Sequence, residues 1–349
     1  MTTAQTLRPG DRVPDFALPG LDGKLRKFVW SFSGRPVALV AVDDVRNLDA
    51  DQFAKLRMAC AAAKTNVVVL AAIPVATATP AWSKLNLDAE DPLLLCDGEQ
   101  KIVPMLMAQG GAALGQAALL RSRVLVLDPN QRLAAAYDTR PLLAAAEGVA
   151  AVAQEVSSDI GGDQLVKIPM APALVLPRVF EPDFCAQVIR LWHKGDHNDS
   201  GVSSRYGNVN VAELKRTEDY VVVEPMMQKA ISDRLAWRIG PELIKVFAYD
   251  REFSFDAHVV LSYSAEGQHF FGAHRDNGAP TTADRSFAVS LNLNDDFDGG
   301  DLVFPEYSSI RVRPPAGGAA VFSCSLLHEV VPVTRGRRFA LTTFFRTKA

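Results

Sequence analysis
The chain has 349 residues, more than one typical domain, and 48% of them are hydrophobic, enough for two sizeable cores. Its formal net charge is −3 and it has no long basic run, which argues against nucleic acid or an anionic membrane as the main partner. The longest apolar stretches, such as "TNVVVLAAIPVA", are too short to span a bilayer.

The first residues, "MTTAQTLRPGDR", lack the basic-then-apolar order of a secretory signal, so the cytoplasm is the expected compartment. "PVALVAVDD" reads as a buried strand and "LDADQFAKLRMACAAAK" as a helix. "TNVVVLAAIP" is a second buried strand. "DPLLLCDGEQKIVPML" and "RSRVLVLDPNQRLAAAYD" each join an apolar run to a turn. "RPLLAAAEGVAAVAQEVSS", rich in alanine, reads as a closing helix. Strands alternating with helices predict an α/β layer.

The polar, glycine-containing stretch from Ser157 to Gln164 separates two different patterns. It divides the chain into domains 1–158 and 165–349. The second begins with a helix at Pro182 in "EPDFCAQVIRLWHK", followed by helical text around "VVEPMMQKAISDRLAWRIGPELIKVF". From Phe253 the text is mostly strands: "FDAHVVLSYS", "RSFAVSLNLN", "GDLVFPEY", "SIRVRPP", "GAAVFSCS", "EVVPVT" and "RRFALTTFFR". Short strands with Gly, Pro and Asp turns predict a double-sheet jelly roll with helices on one side, an α+β domain.

Within "FFGAHRDNG", His274 and Asp276 stand two residues apart, so a strand would point both at one spot. His328, closing the strand-like run "AGGAAVFSCSLLHEV", is the best candidate for a third ligand. Two histidines and a carboxylate on one face of a metal leave the opposite face open, the arrangement of non-haem Fe(II) oxygenases. Ten residues on, Arg338 opens "RFALTTFF", where Arg338, Ala340 and Thr342 share a face. A buried arginine is costly unless it meets an anion, and its planar fork fits a carboxylate. A dicarboxylate chelating the metal at one end would reach Arg338 with the other. Tyr263, in "VVLSYSAEG", is a candidate to supply a hydroxyl to the same carboxylate, and Thr342 is counted with them as co-substrate-binding.

Residues from about 170 onward resemble the prolyl 4-hydroxylase type of 2-oxoglutarate/Fe(II)-dependent oxygenase. The resemblance rests on "LSYSAEGQHFFGAHRDN", "LNLNDDFDGGDLVFPEY" and "PPAGGAAVFSCSLLHEVVPVTRGRRFALTTFF". It implies His274, Asp276 and His328 as iron ligands and Arg338, helped by Tyr263, as anchor of the distal carboxylate of 2-oxoglutarate. It also implies Fe(II), 2-oxoglutarate and O2 as cofactors, with ascorbate as a stimulant, and succinate and CO2 as products. A halogenating member would lack the carboxylate ligand, so Asp276 favours hydroxylation. A prolyl or other side chain in a peptide or protein is the first substrate expected; a free amino acid or natural-product scaffold is the alternative. "DDFDGGD" reads as the turn before "LVFPEY" rather than a calcium loop. "HKGDH", His193 to His197, reads as a loop, and His258 and His269 as structural histidines.

Residues from about 8 to 150, through "LRPGDRVPDFALPGLDGKLRKFVWSFSGRPVALVAV", "LLLCDGEQKIV" and "RSRVLVLDPNQRLAAAYDT", resemble a peroxiredoxin of thioredoxin-like fold. The loop that should carry the reactive thiolate reads "DDVRNLDADQF" and has no cysteine. The expectation is a kept fold without peroxidase chemistry, serving to dock a protein substrate or a second copy in a homodimer. A redox protein acting through this domain, and a non-catalytic module of cupin type, are the disfavoured readings. The four cysteines, Cys60, Cys96, Cys185 and Cys324, are far apart and are expected to be free, buried thiols.

Overall fold
A computed structural model of the chain describes residues 7–32, 34–85, 93–107, 122–138, 143–158, 170–199, 202–204, 207–209 and 214–347. The chain divides into two compact units, Met1–Leu165 and Val166–Ala349. Most of the segment read as the domain boundary, residues 159–164, lies outside the described residues.

The first unit is built on β1 (Val37–Val42), α1 (Ala50–Ala62), β2 (Asn66–Ala71), α2 (Val75–Ser83), β3 (Leu93–Cys96), α3 (Ile102–Met107), β4 (Ser122–Leu127), β5 (Leu133–Asp138) and α4 (Leu143–Ser158). The sheet order is β3-β2-β1-β4-β5. β1, β2 and β3 run parallel, while β4 is antiparallel to β1 and to β5. Every residue of β1 is buried, because a central parallel strand is covered on both faces and so reads as an unbroken apolar run. α1 begins where the Asp49 carboxylate accepts from the Gln52 N–H at 2.9 Å, and it buries Phe53, Leu56 and Cys60 along one stripe. The buried Asp97 carboxylate caps α3, accepting from the N–H groups of Lys101, Ile102 and Val103 at 3.1, 2.7 and 2.8 Å. Strands alternating with helices in one sheet form the expected α/β layer.

Cys60 is fully buried in α1, and burial pushes its thiol pKa up to about 12. Cys60 lies near the end of α1 rather than at its start, and among the described residues burial is the one influence on its thiol. All four cysteines are free and buried. In the intact native protein none should react with a thiol reagent within minutes, and all four should react after denaturation. Labelling followed by mass spectrometry reads the count, and a fast native thiol at Cys60 would reopen peroxidase chemistry.

The second unit begins with β6 (Leu174–Leu176), α5 (Pro182–Lys194), β7 (Asn198–Asp199), β8 (Lys215–Arg216) and β9 (Glu218–Val221). Next come α6 (Pro225–Arg238), α7 (Gly240–Phe247), β10 (Phe253–Phe255), β11 (Val259–Ser264), β12 (Phe270–His274) and β13 (Arg285–Asn292). It ends with β14 (Leu302–Phe304), β15 (Ser308–Val312), β16 (Ala319–Ser323), β17 (His328–Val330) and β18 (Arg337–Thr347). The larger sheet runs β6-β16-β13-β18-β11-β9-β7, with β10 also on β18; the smaller runs β8-β12-β17-β14-β15. All these pairings are antiparallel.

The helical text from 222 to 247 forms two helices rather than one, because Pro241 lacks an N–H and starts α7 instead of continuing α6. The expected strand "FDAHVVLSYS" is also interrupted: the Asp256 carboxylate accepts from the Ala257 N–H at 2.9 Å and turns the chain between β10 and β11. β18 divides the two layers of the core. Phe339, Leu341 and Phe345 pack with α5, α6 and α7 residues such as Trp192, Leu235 and Leu243. The alternate face, carrying Arg338, Ala340, Thr342 and Phe344, turns toward the cluster of Leu261, Tyr263, Ala288 and Phe322. No helix among the described residues is long and apolar enough to cross a membrane.

Candidate active site
His274 ends β12 and His328 begins β17, and the two residues are register partners across that ladder. Asp276 lies beyond the strand end, in a turn, so period-two alternation alone does not place it. Its N–H donates to the Cys324 carbonyl at 3.0 Å, which holds the turn beside the strand that precedes His328. The ligand atoms of His274, Asp276 and His328 all lie within 4.8 Å of one another. His274 Nε2 is 3.5 Å from Asp276 Oδ1, and His328 Nε2 is 3.5 Å from Asp276 Oδ2. Donor atoms about 2.1 Å from a shared ion at right angles stand about 3 Å apart, so the three are close enough to share one ion.

The tautomers follow from the neighbours. His274 Nδ1 lies 2.8 Å from the Gly272 carbonyl oxygen, and His328 Nδ1 lies 3.0 Å from that of Leu326. A carbonyl only accepts, so both Nδ1 atoms carry the proton and both Nε2 lone pairs face the shared point. Burial lowers the His328 pKa against the opposing pull of Asp276, which favours the neutral, ligating imidazole. Phe271 stacks on His274 at 3.6 Å between centroids, and Phe322 sits edge-on to His328 at 4.6 Å. These rings fix the imidazole planes. Among the described residues Asp276 Oδ2 is buried without a hydrogen-bond partner, a costly state that a cation would relieve.

A cavity of about 210 Å³ opens beside this cluster, lined by Tyr263, Ser290, Thr342, Lys215, Asp219 and Arg285 among others. Arg338 lies behind two of these lining residues: it is 2% exposed, directly opposite Tyr263 in the β11–β18 register and bonded to Ser290. Its Nε donates to Asn292 Oδ1 at 2.8 Å and its Nη2 to Ser290 Oγ at 3.1 Å. Its Nη1 is buried with no hydrogen-bond partner among the described residues. Burial lowers the Arg338 pKa, and burial raises that of the Tyr263 hydroxyl, so Tyr263 remains a donor at neutral pH. A buried cation with an unused N–H beside a protonated phenol fits a carboxylate.

The nearby arginines are already committed: Arg337 Nη1 to Glu218 at 2.5 Å, and Arg346 Nη2 to Asp284 at 2.6 Å. Among the described residues the other histidines lie outside the cluster. His258 Nε2 is 2.8 Å from Ser232 Oγ, with burial taking its pKa down to about 4. His269 Nδ1 accepts from the Ser264 N–H at 3.1 Å. His193 belongs to α5 rather than to a loop and meets Trp192 edge-on, while His197 stacks on the Trp192 ring. In "DDFDGGD", Gly299 and Gly300 have φ of +73° and +65°, and a Cβ on Gly299 would stand 2.2 Å from the Pro332 carbonyl.

Sequence reasoning missed Ser290, Asn292 and Arg285. Arg285 Nη2 pairs with Asp256 at 2.6 Å, while its Nη1 donates to the Asp276 carbonyl at 3.3 Å and steadies that turn. The signal was present in "FAVSLNLN", where polar residues recur every second position of an apolar strand.

No protein-family model matches the chain. A PKHD-type hydroxylase of Cupriavidus metallidurans is 42% identical over 85 residues, which is 22% of this chain and 37% of that protein. A PKHD-type hydroxylase of Burkholderia ambifaria is 40% identical over 83 residues, again 22% and 37%. The chain thus matches little more than a third of the length of these curated relatives. Among solved structures, a prolyl-4-hydroxylase of Pseudomonas putida is 18% identical, with 52% of this chain and 95% of that one covered at a TM-score of 0.41. The viral collagen prolyl hydroxylase of Paramecium Bursaria Chlorella virus-1 is 14% identical over 50% and 96%, with a TM-score of 0.40. A peroxidoxin of Mycobacterium tuberculosis is 20% identical over 43% and 97%, with a TM-score of 0.35.

Proposed function
We propose that the second unit is an Fe(II)- and 2-oxoglutarate-dependent hydroxylase built on a double-stranded β-helix, with the domains taken as residues 1–158 and 165–349. The observation that carries it is the coincidence of two unmet demands in one site. A His–Asp–His cluster has a buried carboxylate oxygen without a partner, and a buried arginine has an unused N–H.

In this reading His274, Asp276 and His328 hold the metal on one face, and the cavity side is left for co-substrate and dioxygen. Fe(II) bound there would supply the activation of dioxygen, coupled to decarboxylation of 2-oxoglutarate to succinate and CO2, that hydroxylates an unactivated C–H bond. Arg338 and Tyr263 bind the far carboxylate, and Thr342, on the same face of β18, closes the wall beside it. Phe271 and Phe344 line the cavity and keep water from the reacting centre. The substrate we favour is a prolyl or other residue in a peptide or protein, with a free amino acid or natural product as the alternative. Ascorbate as a stimulant and the cytoplasm as the compartment belong to the same reading. The first unit is read as a support for substrate docking or self-association.

The test is anaerobic addition of Fe(II) and 2-oxoglutarate to the apoprotein. A metal-to-ligand charge-transfer band should appear in the visible range, and admission of air should release succinate slowly even without substrate. Absence of both band and succinate would sink the reading.

A further inference from the structure
We propose that Asn292 and Ser290 are positioning residues that hold Arg338 charged and correctly turned for the far carboxylate of the co-substrate; this rests on the hydroxylase reading above. The two residues lie two apart on β13 and share a face. The β13–β18 register sets Asn292 against Ala340 and Ser290 against Thr342, so both flank the β18 face that carries Arg338. Ala340 is small, which leaves the Asn292 amide room to reach across.

The orientation of Asn292 is determined on both sides. Its Nδ2 donates to the Pro314 carbonyl at 2.7 Å, and a carbonyl accepts only. Oδ1 therefore faces Arg338 Nε, at 2.8 Å. Ser290 Oγ holds Nη2 at 3.1 Å and also lines the cavity. With Nε and Nη2 tied down the guanidinium plane cannot rotate, and the buried Nη1 is left without a partner.

The chemical identity of the clamp matters as much as its geometry. Arg337, Arg346 and Arg285 on the same sheet are each met by a carboxylate, from Glu218, Asp284 and Asp256. Arg338 is met by an amide and a hydroxyl. A neutral clamp fixes the fork without cancelling its charge, so the attraction for an incoming anion is preserved. A carboxylate at position 292 would meet the Nε but consume the charge, and it would lose the donor that holds the side chain to the Pro314 carbonyl.

The decisive variants are Asn292→Asp, an isosteric change, and Ser290→Ala, a small one. Binding of 2-oxoglutarate and of pyruvate, which lacks the far carboxylate, is measured by calorimetry on the Mn(II)-loaded full-length protein without oxygen. Wild type should prefer 2-oxoglutarate. Asn292→Asp should weaken 2-oxoglutarate by about 10-fold or more, and Ser290→Ala by about 3-fold, the order expected for degrading one charge-assisted contact. Pyruvate and Mn(II) affinities should stay at wild-type values in both. In turnover, the KM for 2-oxoglutarate should rise while kcat at saturation holds. Unchanged 2-oxoglutarate affinity in both variants overturns the proposal, as does an equal loss for the two keto acids. A wild type that binds pyruvate as well as 2-oxoglutarate would instead overturn the hydroxylase reading.

Discussion
His274→Ala and His328→Ala are each expected to abolish Fe(II) binding and succinate release together. The two imidazoles and Asp276 are the three donors of the cluster. Loss of a mere supporting contact to a metal ligand costs about 10–100-fold in affinity, so loss of the ligand itself should exceed about 100-fold. The fold should survive in His274→Ala, because the side chain ends a strand at the edge of a cavity rather than within a packed core. His269→Gln is the control: that ring bonds to the Ser264 backbone away from the cluster, so metal affinity should be kept. Calorimetry with Mn(II) and with anaerobic Fe(II) reads both outcomes. Wild-type metal affinity in either alanine variant would dissolve the proposed centre.

The parts of this site that were legible in the sequence are those with short-range signatures. His274 and Asp276 announce themselves by spacing in an aromatic and small-residue stretch, and Arg338 by being a cation in an apolar strand. The reason for Asp276 was nevertheless different from the one spacing suggests. The strand stops at His274, and a tertiary bond from the Asp276 N–H to the Cys324 carbonyl aims the carboxylate. Such a contact, 48 residues distant in sequence, leaves no local trace. The partners of Arg338 were hidden for the same reason: Asn292 and Ser290 meet it through strand register across 46 and 48 residues. Period-two polarity marked them as special but did not name what they touch. In the first unit the unbroken apolar strands specify a covered sheet, and the missing cysteine was plain to read.

The other large effect concerns the anchor. Arg338→Ala should leave Mn(II) or Fe(II) binding intact, because Arg338 is no part of the metal cluster, while 2-oxoglutarate affinity falls steeply. Losing one partly or fully buried charge-assisted contact costs about 2–5 kcal/mol, so a weakening of roughly 30-fold or more is expected. Truncation also strips Asn292 Oδ1 and Ser290 Oγ of their donor, so some thermal destabilisation should accompany the loss. Arg338→Lys separates charge from shape. An ammonium restores the cation but cannot hold Asn292 and Ser290 while presenting a further N–H in the same plane, so recovery should be partial. The signature is therefore a graded series in 2-oxoglutarate affinity, wild type above Lys above Ala, at constant metal affinity. Unchanged 2-oxoglutarate affinity in Arg338→Ala would move the anchor to another cation. Arg337 and Arg346 are poor substitutes, since each would first have to give up its carboxylate, Glu218 or Asp284.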